Sequence, residues 1–314
     1  MSTKPKRIVV AINPSASFGK GRNVGPAVIT SLRAMGHTVE PLVEDDYFSV
    51  MESGRKAVAT KPDAFVVVGG DGMVNLGTNL VAGTKVPLGI VPSGTGNDMA
   101  RGLGIPFNNT EEAIRILADA LERKPRPIDA GRVTHTDKTT GEKKQTWFGC
   151  LVSAGFDAIV NERANKWTYP KGPSRYNLAL IYELAKMKPI TYRLTLDGVK
   201  STFQASLITV ANNRSLGGGM LVTPNAKVDD GLLDVLIVQK LGRLSFLRIF
   251  PRVYKGEHIT DHRVSITNAK HVIVDADDIS ATADGETLGP LPAEIEIVPG
   301  ALLILAPHTA PAFS

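Results

Sequence analysis

Val66-Val67-Val68-Gly69-Gly70-Asp71-Gly72-Met73-Val74-Asn75 reads as a buried strand that runs into a glycine-rich turn and then into a helix. Three glycines in the turn let backbone N–H groups come close to a polyanion, and the N-terminus of the following helix adds a positive partial charge, so phosphate is the natural guest. Taken alone, the same stretch also suits a tight strand-to-helix turn that binds nothing. The neighbouring segment Gly89-Ile90-Val91-Pro92-Ser93-Gly94-Thr95-Gly96-Asn97-Asp98 favours the phosphate reading, because it repeats the pattern of apolar strand followed by glycine turn. In open parallel sheets ligands bind beyond the carboxyl ends of the strands, so two such turns after adjacent strands face one crevice. A third arm is available where Ile8 to Ile12 ends, in Asn13-Pro14-Ser15-Ala16-Ser17 and then Gly19-Lys20-Gly21-Arg22, which offers hydroxyls and cations to an anion.

Outward from these turns, the first 125 or so residues alternate short apolar runs with amphipathic stretches, the rhythm of strand–helix units around a parallel sheet. Ile8 to Ile12, Thr38 to Val43, Ala64 to Val68 and Leu88 to Val91 are the strands. Val24, Val28, Leu32 and Met35 recur at helical spacing with Gly36 placed to end the helix; Ser49 caps a helix to Ala59, Val74 to Val81 is a third, and Thr110 caps a fourth with Ile114, Leu117 and Leu121 on one face. From about Pro125 paired strands take over: Arg132 to Thr136, Thr146 to Val152, Tyr192 to Leu196 joined by Asp197-Gly198 to Phe203 to Val210, then Leu232 to Val238, Val272 to Asp275, Ile279 to Ala283, Glu294 to Val298 and Leu302 to Leu305. Two helices interrupt them, one with Tyr176, Leu180, Leu184 and Met187 on a face, the other over Leu244 to Tyr254 and bent at Pro251. The expected architecture is an α/β nucleotide-binding domain with a parallel sheet over residues 1–127, completed by 302–314, and a β-sandwich over 128–301.

Composition narrows the partners. The chain has 314 residues, 43% hydrophobic and 21% charged, with a formal net charge of +5, which suits an anionic partner such as a nucleotide or membrane surface. The single cysteine, Cys150, rules out an intramolecular disulfide and a cysteine-cluster zinc site and is expected to be a buried small hydrophobe. No run reaches the roughly 18 apolar residues of a spanning helix. Nucleic acid is not expected as a partner, since the basic residues form no long run and no stacking motif accompanies them. His258 and His262 are four apart but lack a third ligand, so a zinc pair is not expected.

Together, Gly69 to Asn75, Pro92 to Asp98, the Asn13-Pro14 start, Asp229-Asp230-Gly231-Leu232-Leu233-Asp234 and Asp284-Gly285-Glu286 resemble the diacylglycerol kinase catalytic family, which includes soluble bacterial lipid kinases and sphingosine kinases. The resemblance covers nearly the whole chain in order. It implies an active site in the cleft between the two domains, where ATP meets Asn13, Pro14, Ser15, Ser17, Gly69, Gly70, Asp71, Gly72, Met73, Val74, Asn75, Ser93, Gly94, Thr95 and Asn97. It implies Glu286 as the proton acceptor for a lipid hydroxyl, Asp71 as the aspartate near nucleotide-bound Mg²⁺, and Asp129 as a second acid of that network. A structural Mg²⁺ would take Asp230, the carbonyl of Leu232 and at most the carbonyl of Lys227. The expected reaction is ATP plus diacylglycerol giving ADP plus phosphatidic acid, by an enzyme that is cytoplasmic and peripheral at the inner membrane face; a homodimer is left open.

Three departures stand against the family pattern: Met73 where threonine is usual, a first loop lengthened by Ser15-Ala16-Ser17-Phe18, and Val43 near the position of a nucleotide-contacting threonine. Lys20, Arg22 and Arg101 would neutralise triphosphate or meet anionic lipid, and Lys166, Trp167, Tyr169 and Lys171 form a segment suited to the membrane interface. The rival readings are a kinase acting on NAD or a sugar phosphate, and a nucleotide- or membrane-binding module without catalysis.

Overall fold

The computed structural model describes residues 4–12, 23–44, 46–167, 169, 178–179, 182–183, 186 and 188–307. They form two compact units, one of Met1–Ala130 with Gly217–Gly219 and Pro299–Ser314, the other of Gly131–Leu216 with Met220–Val298.

The first unit runs β1 (Arg7–Ile12), α1 (Val24–Ala34), β2 (Thr38–Val43), α2 (Tyr47–Ala59), β3 (Ala64–Gly69), α3 (Asp71–Val81), β4 (Leu88–Pro92), α4 (Asp98–Leu103) and α5 (Thr110–Leu121). The strands pair in parallel in the order β2, β1, β3, β4, and the end of the last strand of the chain adds Ile304 and Leu305 beside Leu88 and Gly89. Ile8, Val9, Val10, Phe65, Val66 and Val67 have no exposed surface, as a sheet covered on both faces requires. In a parallel sheet every strand ends at the same edge, so the turns after β3 and β4 share it.

The second unit is β-rich: β5 (Arg126–Thr136, which starts in the first unit), β6 (Lys143–Phe148), β7 (Leu151–Gly155), α6 (Phe156–Lys166), β8 (Ile190–Leu196), β9 (Val199–Ala211), β10 (Leu233–Gln239), α7 (Arg243–Ile249), two 3₁₀ turns (Phe250–Lys255 and Glu257–Thr260), β11 (Val264–Ala269), β12 (His271–Asp275), β13 (Ser280–Ala283), β14 (Glu286–Pro290) and β15 (Ala293–Leu305). The long β9 pairs antiparallel with β8 through its first half and with β7 and β10 through its second. Strand β10 is buried on both faces: Leu233 and Val235 join the main core with Tyr192, Val210 and Ile295, while Leu236 and Val238 join a second core with Phe156, Phe246 and Ile249.

Several boundaries differ from the sequence reading, each for a local reason. Helix α2 begins two residues before Ser49, because Asp46 is the cap: its carboxylate accepts the Ser49 N–H at 3.0 Å and the Ser49 hydroxyl at 2.7 Å. Helix α5 is capped by Asn109, whose Oδ1 accepts the Glu112 N–H at 3.1 Å, and not by Thr110. The expected strand Thr146 to Val152 is two strands, since the N–H groups of Gly149, Cys150 and Leu151 turn away to the Asp284 carboxylate. Conversely, Glu294 to Val298 and Leu302 to Leu305 are one strand, β15, carried through Gly300 at φ +63 while its N–H is taken by Asp129 Oδ1 at 2.9 Å. The helix before Pro251 ends at Ile249 and tightens into a 3₁₀ turn, as a residue without an N–H demands. Strands β11 and β14 and helices α4 and α6 are additional to the reading. Of the helical face Tyr176, Leu180, Leu184 and Met187, all four residues lie outside the described residues.

Candidate functional site

At the carboxyl edge of the first unit's sheet the turns after β3 and β4 are laced together. The Ser93 N–H donates to the Gly69 carbonyl at 2.9 Å. A Cβ on Gly70 would sit 3.0 Å from the Gly94 Cα, and one on Gly94 would collide with the Gly70 Cα; the two backbones approach as closely as they do because neither carries a side chain. Asn97, at φ +54, closes the second turn on itself: its Oδ1 accepts the Gly94 N–H at 3.0 Å and its Nδ2 donates to the Gly94 carbonyl at 2.8 Å.

Asp71 ties the first turn to the helix after the second. Its Oδ2 accepts the Asn97 N–H at 2.9 Å and its Oδ1 the Asp98 N–H at 2.8 Å, so a carboxylate from α3 caps the positive end of α4. Asp98 is buried, and its carboxylate takes the N–H groups of Gly218 and Gly219, the nearest pairs being 3.0 Å apart. Burial pushes the Asp98 carboxyl up, the Gly218 N–H works against that, and the charge of Asp71 adds to it. Gly217, Gly218 and Gly219 all have positive φ, +70, +85 and +105. The sequence reading missed this third glycine turn; three consecutive glycines were its signal. Arg101, read as a cation for phosphate, donates from Nε to the Gly96 carbonyl at 2.9 Å and lies 3.6 Å over the Phe107 ring, so it braces the second turn.

The cradle suits a polyphosphate. In the first turn of α3 the Met73 N–H donates to the Gly70 carbonyl, three residues back, at 3.0 Å, so the N–H groups of Asp71 and Gly72 are the ones at the helix start with no intrahelical acceptor. Met73 itself is buried with its side chain laid back over Gly69, so the residue in threonine's usual place packs into the core and offers the turn no hydroxyl. Asn75 Nδ2 is buried and meets no acceptor among the described residues, Val74 is buried, and Thr95 is exposed. Asp71 is partly exposed beside the turn and is the hard oxygen donor that a nucleotide-bound Mg²⁺ would use. Asn13, Pro14, Ser15, Ser17, Lys20 and Arg22 lie outside the described residues. Val43 ends β2 with its side chain exposed. Asp129, on β5, is buried and receives the Gly300 N–H. A separate groove of about 780 Å³ lies at the opposite edge of this sheet, between Lys6, Asp63 and Pro87 at strand starts and Val58, Thr84 and Leu121 near helix C-termini. Four cations, Lys6, Lys61, Lys85 and Arg123, and one carboxylate, Asp63, line that groove.

In the second unit, Asp284 and Gly285 form the expected hairpin tip, at φ +47 and +87, and Glu286 opens β14 opposite Ala283 with its side chain exposed. The Asp284 carboxylate accepts three backbone N–H groups, from Gly149, Cys150 and Leu151 at 2.8 to 2.9 Å, which fixes the tip that carries Glu286. Asp230 is exposed and its Oδ1 accepts the Leu232 N–H at 3.1 Å; Lys227 is exposed nearby in sequence. Burial, and secondarily the charge of Asp230, push the Asp234 carboxyl up to about 6. The described residues contain no cluster of three acidic, His or Cys side chains arranged for a metal; one carboxylate with backbone carbonyls is a donor set for a Mg²⁺ that keeps several waters. His258 is buried with Nε2 on the Val222 carbonyl at 3.0 Å, while His262 is exposed beyond the 3₁₀ turn, so the two do not form a pair. Trp167 packs edge-on against Tyr182 at 5.9 Å, Tyr169 is exposed, and Lys171 lies outside the described residues. Cys150 is buried and unbridged. An apolar cavity of about 110 Å³ lies between α7 and the sheet, walled by Leu207, Leu236, Phe246, Ile249, Phe250 and Val264.

Glycine turns at two adjacent strand ends of an α/β unit, followed by a β-rich unit, define the class: a two-domain protein with a parallel-sheet α/β unit and a β-rich second unit. Residues 7–133 match the diacylglycerol kinase catalytic domain, and residues 150–306 the YegS C-terminal NAD kinase beta sandwich-like domain. A diacylglycerol kinase of Mycobacterium tuberculosis is 40% identical over 96% of both chains, and one of Bacillus subtilis 27% identical over 77% of both. Among solved structures, a diacylglycerol kinase of Bacillus anthracis superposes with a TM-score of 0.68 at 21% identity over 98% of both chains. Yeast NADH kinase complexed with NADH gives 0.56 at 13% identity, over 96% of this chain and 83% of that one. The chain belongs to the diacylglycerol kinase family. No helix among the described residues is long and apolar enough to cross a membrane.

Proposed function

We propose that this chain transfers the γ-phosphoryl group of ATP to the hydroxyl of diacylglycerol or a closely related lipid alcohol, giving phosphatidic acid and ADP, at the cytoplasmic face of the membrane. The observation that carries the reading is the close approach of the Gly70 and Gly94 turns, laced by Asp71, which fixes two glycine turns side by side at the strand-end edge where open parallel sheets bind ligands. The acceptor oxygen attacks the γ-phosphorus, its proton passes to the Glu286 carboxylate, and the bond from the γ-phosphorus to the bridging oxygen breaks to release ADP. Asp71 would hold the nucleotide's Mg²⁺, which supplies neutralisation of phosphate charge, with Asp129 in the same acidic network. Asp230, with the carbonyls of Leu232 and Lys227, would hold a second, structural Mg²⁺. The likeness over 96% of the chain to a diacylglycerol kinase at 40% identity, against 13% for yeast NADH kinase, favours a lipid acceptor over NAD.

The test is γ-labelled ATP with lipid alcohols, NAD and sugar phosphates presented separately, the lipids in mixed micelles. Label in diacylglycerol is the expected result, and label in NAD alone would overturn the reading. Glu286→Gln is expected to lower kcat about 10²- to 10⁴-fold with ATP binding retained; full activity in that variant removes Glu286 as the base.

A further inference from the structure

Helix α7 and the 3₁₀ turn after it carry apolar side chains on the face turned away from the core. Phe246 and Ile249 point inward and are buried, whereas Leu244 is 84% exposed, Leu247 55% and Tyr254 54%. Single exposed leucines are ordinary on a soluble protein. Three large apolar side chains within eleven residues, on a short element whose other face already fills a core, call for a partner.

The charge around them says which. Residues 240–256 hold Lys240, Arg243, Arg248, Arg252 and Lys255 and no Asp or Glu, in a chain whose acidic residues nearly balance its basic ones, 31 against 36. Arg263, from β11, adds a further guanidinium against Ser245 Oγ at 3.0 Å. The carboxylates near this face are Asp261, engaged by Arg263 at 2.9 Å, and Glu257, exposed at the far end of the segment. Arg252 is turned to the Glu257 carbonyl and the Thr260 hydroxyl. Leucines and a tyrosine fringed by cations match the boundary of an anionic bilayer, where apolar side chains enter the acyl region, the phenol settles among headgroups and cations meet phosphate.

We infer that the outward face of α7 and Phe250–Lys255 is the surface by which this protein docks on an anionic phospholipid bilayer, with Leu244 and Leu247 inserted and Arg243 and Arg248 on the headgroups. The inference rests on the lipid-kinase reading for its purpose, and extends it: the helix that docks is the one whose inner face, through Phe246 and Ile249, walls the apolar cavity.

The experiment is co-sedimentation of the full chain with vesicles of phosphatidylcholine alone and of phosphatidylcholine mixed with phosphatidylglycerol, neither containing diacylglycerol. Wild type is expected on the mixed vesicles and not on the neutral ones. Leu244→Ser with Leu247→Ser should weaken binding at least tenfold, and Arg243→Gln with Arg248→Gln roughly 25-fold, at about fivefold for each cation. Lys143→Gln with Lys144→Gln, on the β5–β6 hairpin, should lose far less. All these side chains are exposed, so melting temperatures should be unchanged. Failure of wild type to bind mixed vesicles, or binding by both α7 variants equal to wild type, overturns the inference. So does a dimer that dissociates in the leucine variant while vesicle binding persists, since that would make the face a contact between copies. The enzymatic reading is separated by phosphoryl transfer to diacylglycerol in detergent micelles: absence of transfer with vesicle binding intact removes the kinase reading and leaves the docking surface standing.

Discussion

Asp234 shows how a single carboxyl reports on its surroundings. It sits on β10, accepts the Asn268 amide at 3.3 Å and is held up to about 6 by burial and by Asp230. A folded-state value above the ordinary 3.8 means that the folded protein binds this proton more tightly than the unfolded chain. The group's stabilising share is therefore complete below about pH 4 and is lost as the pH rises through about 6. Asp234→Asn is expected to flatten the stability curve between those values and to raise stability at neutral pH by about 1 kcal/mol, a figure reduced for solvent screening. If Mg²⁺ binds at Asp230 it offsets the same charge, so Mg²⁺ should raise the melting temperature of wild type at pH 7 and leave Asp230→Asn where it was. Thermal melts across pH, with and without Mg²⁺, check both statements. An unchanged pH profile in Asp234→Asn would mean that the carboxyl is not perturbed.

At the scale of elements, α4 is the instructive case. Six residues do not make a stable helix in water; it persists because the Asp71 carboxylate holds its first N–H groups and Gly104 closes its end in a left-handed turn. Asp71→Asn would turn an amide N–H₂ toward one of those backbone donors. The expected result is amide exchange in α4 at least tenfold faster, with β3 and β4 unchanged, together with a loss of phosphoryl transfer of about 10²-fold or more. Equal exchange in α4 would show that the helix does not depend on this cap. The same element explains what the sequence concealed. Asp71 was legible as a residue of the glycine turn, but its partners are backbone groups more than twenty positions away, and no local period announces them. Caps were misassigned for a related reason: Asp46 and Ser49, or Asn109 and Thr110, all have side chains able to cap, and only the backbone geometry chooses between them.

For the whole molecule, the apolar runs Ile8 to Ile12, Ala64 to Val68 and Leu88 to Val91 were sufficient to read a parallel sheet, because strands buried on both faces need little beyond hydrophobicity to declare themselves. What the runs could not show was continuity. Pro299-Gly300 looks like a strand breaker, yet β15 passes through it, since Asp129 receives the N–H that the ladder loses. The strand's end then delivers Leu302, Ile304 and Leu305, all buried, beside β4. A chain ending at Val298 is expected to lose its cooperative unfolding transition in calorimetry, because β4 would forfeit a neighbour and the core several large side chains. A single transition within a few degrees of wild type would contradict that role for β15.

The grip of Asp284 on three successive backbone N–H groups bears on how this protein tolerates genetic variation. On those three positions a carboxylate that binds main-chain N–H groups places no demand on side-chain identity. In a saturation scan, position 284 should therefore reject nearly every replacement while Cys150 and Leu151 accept many apolar ones, so the hairpin's anchor would stand out as an intolerant site beside tolerant ones.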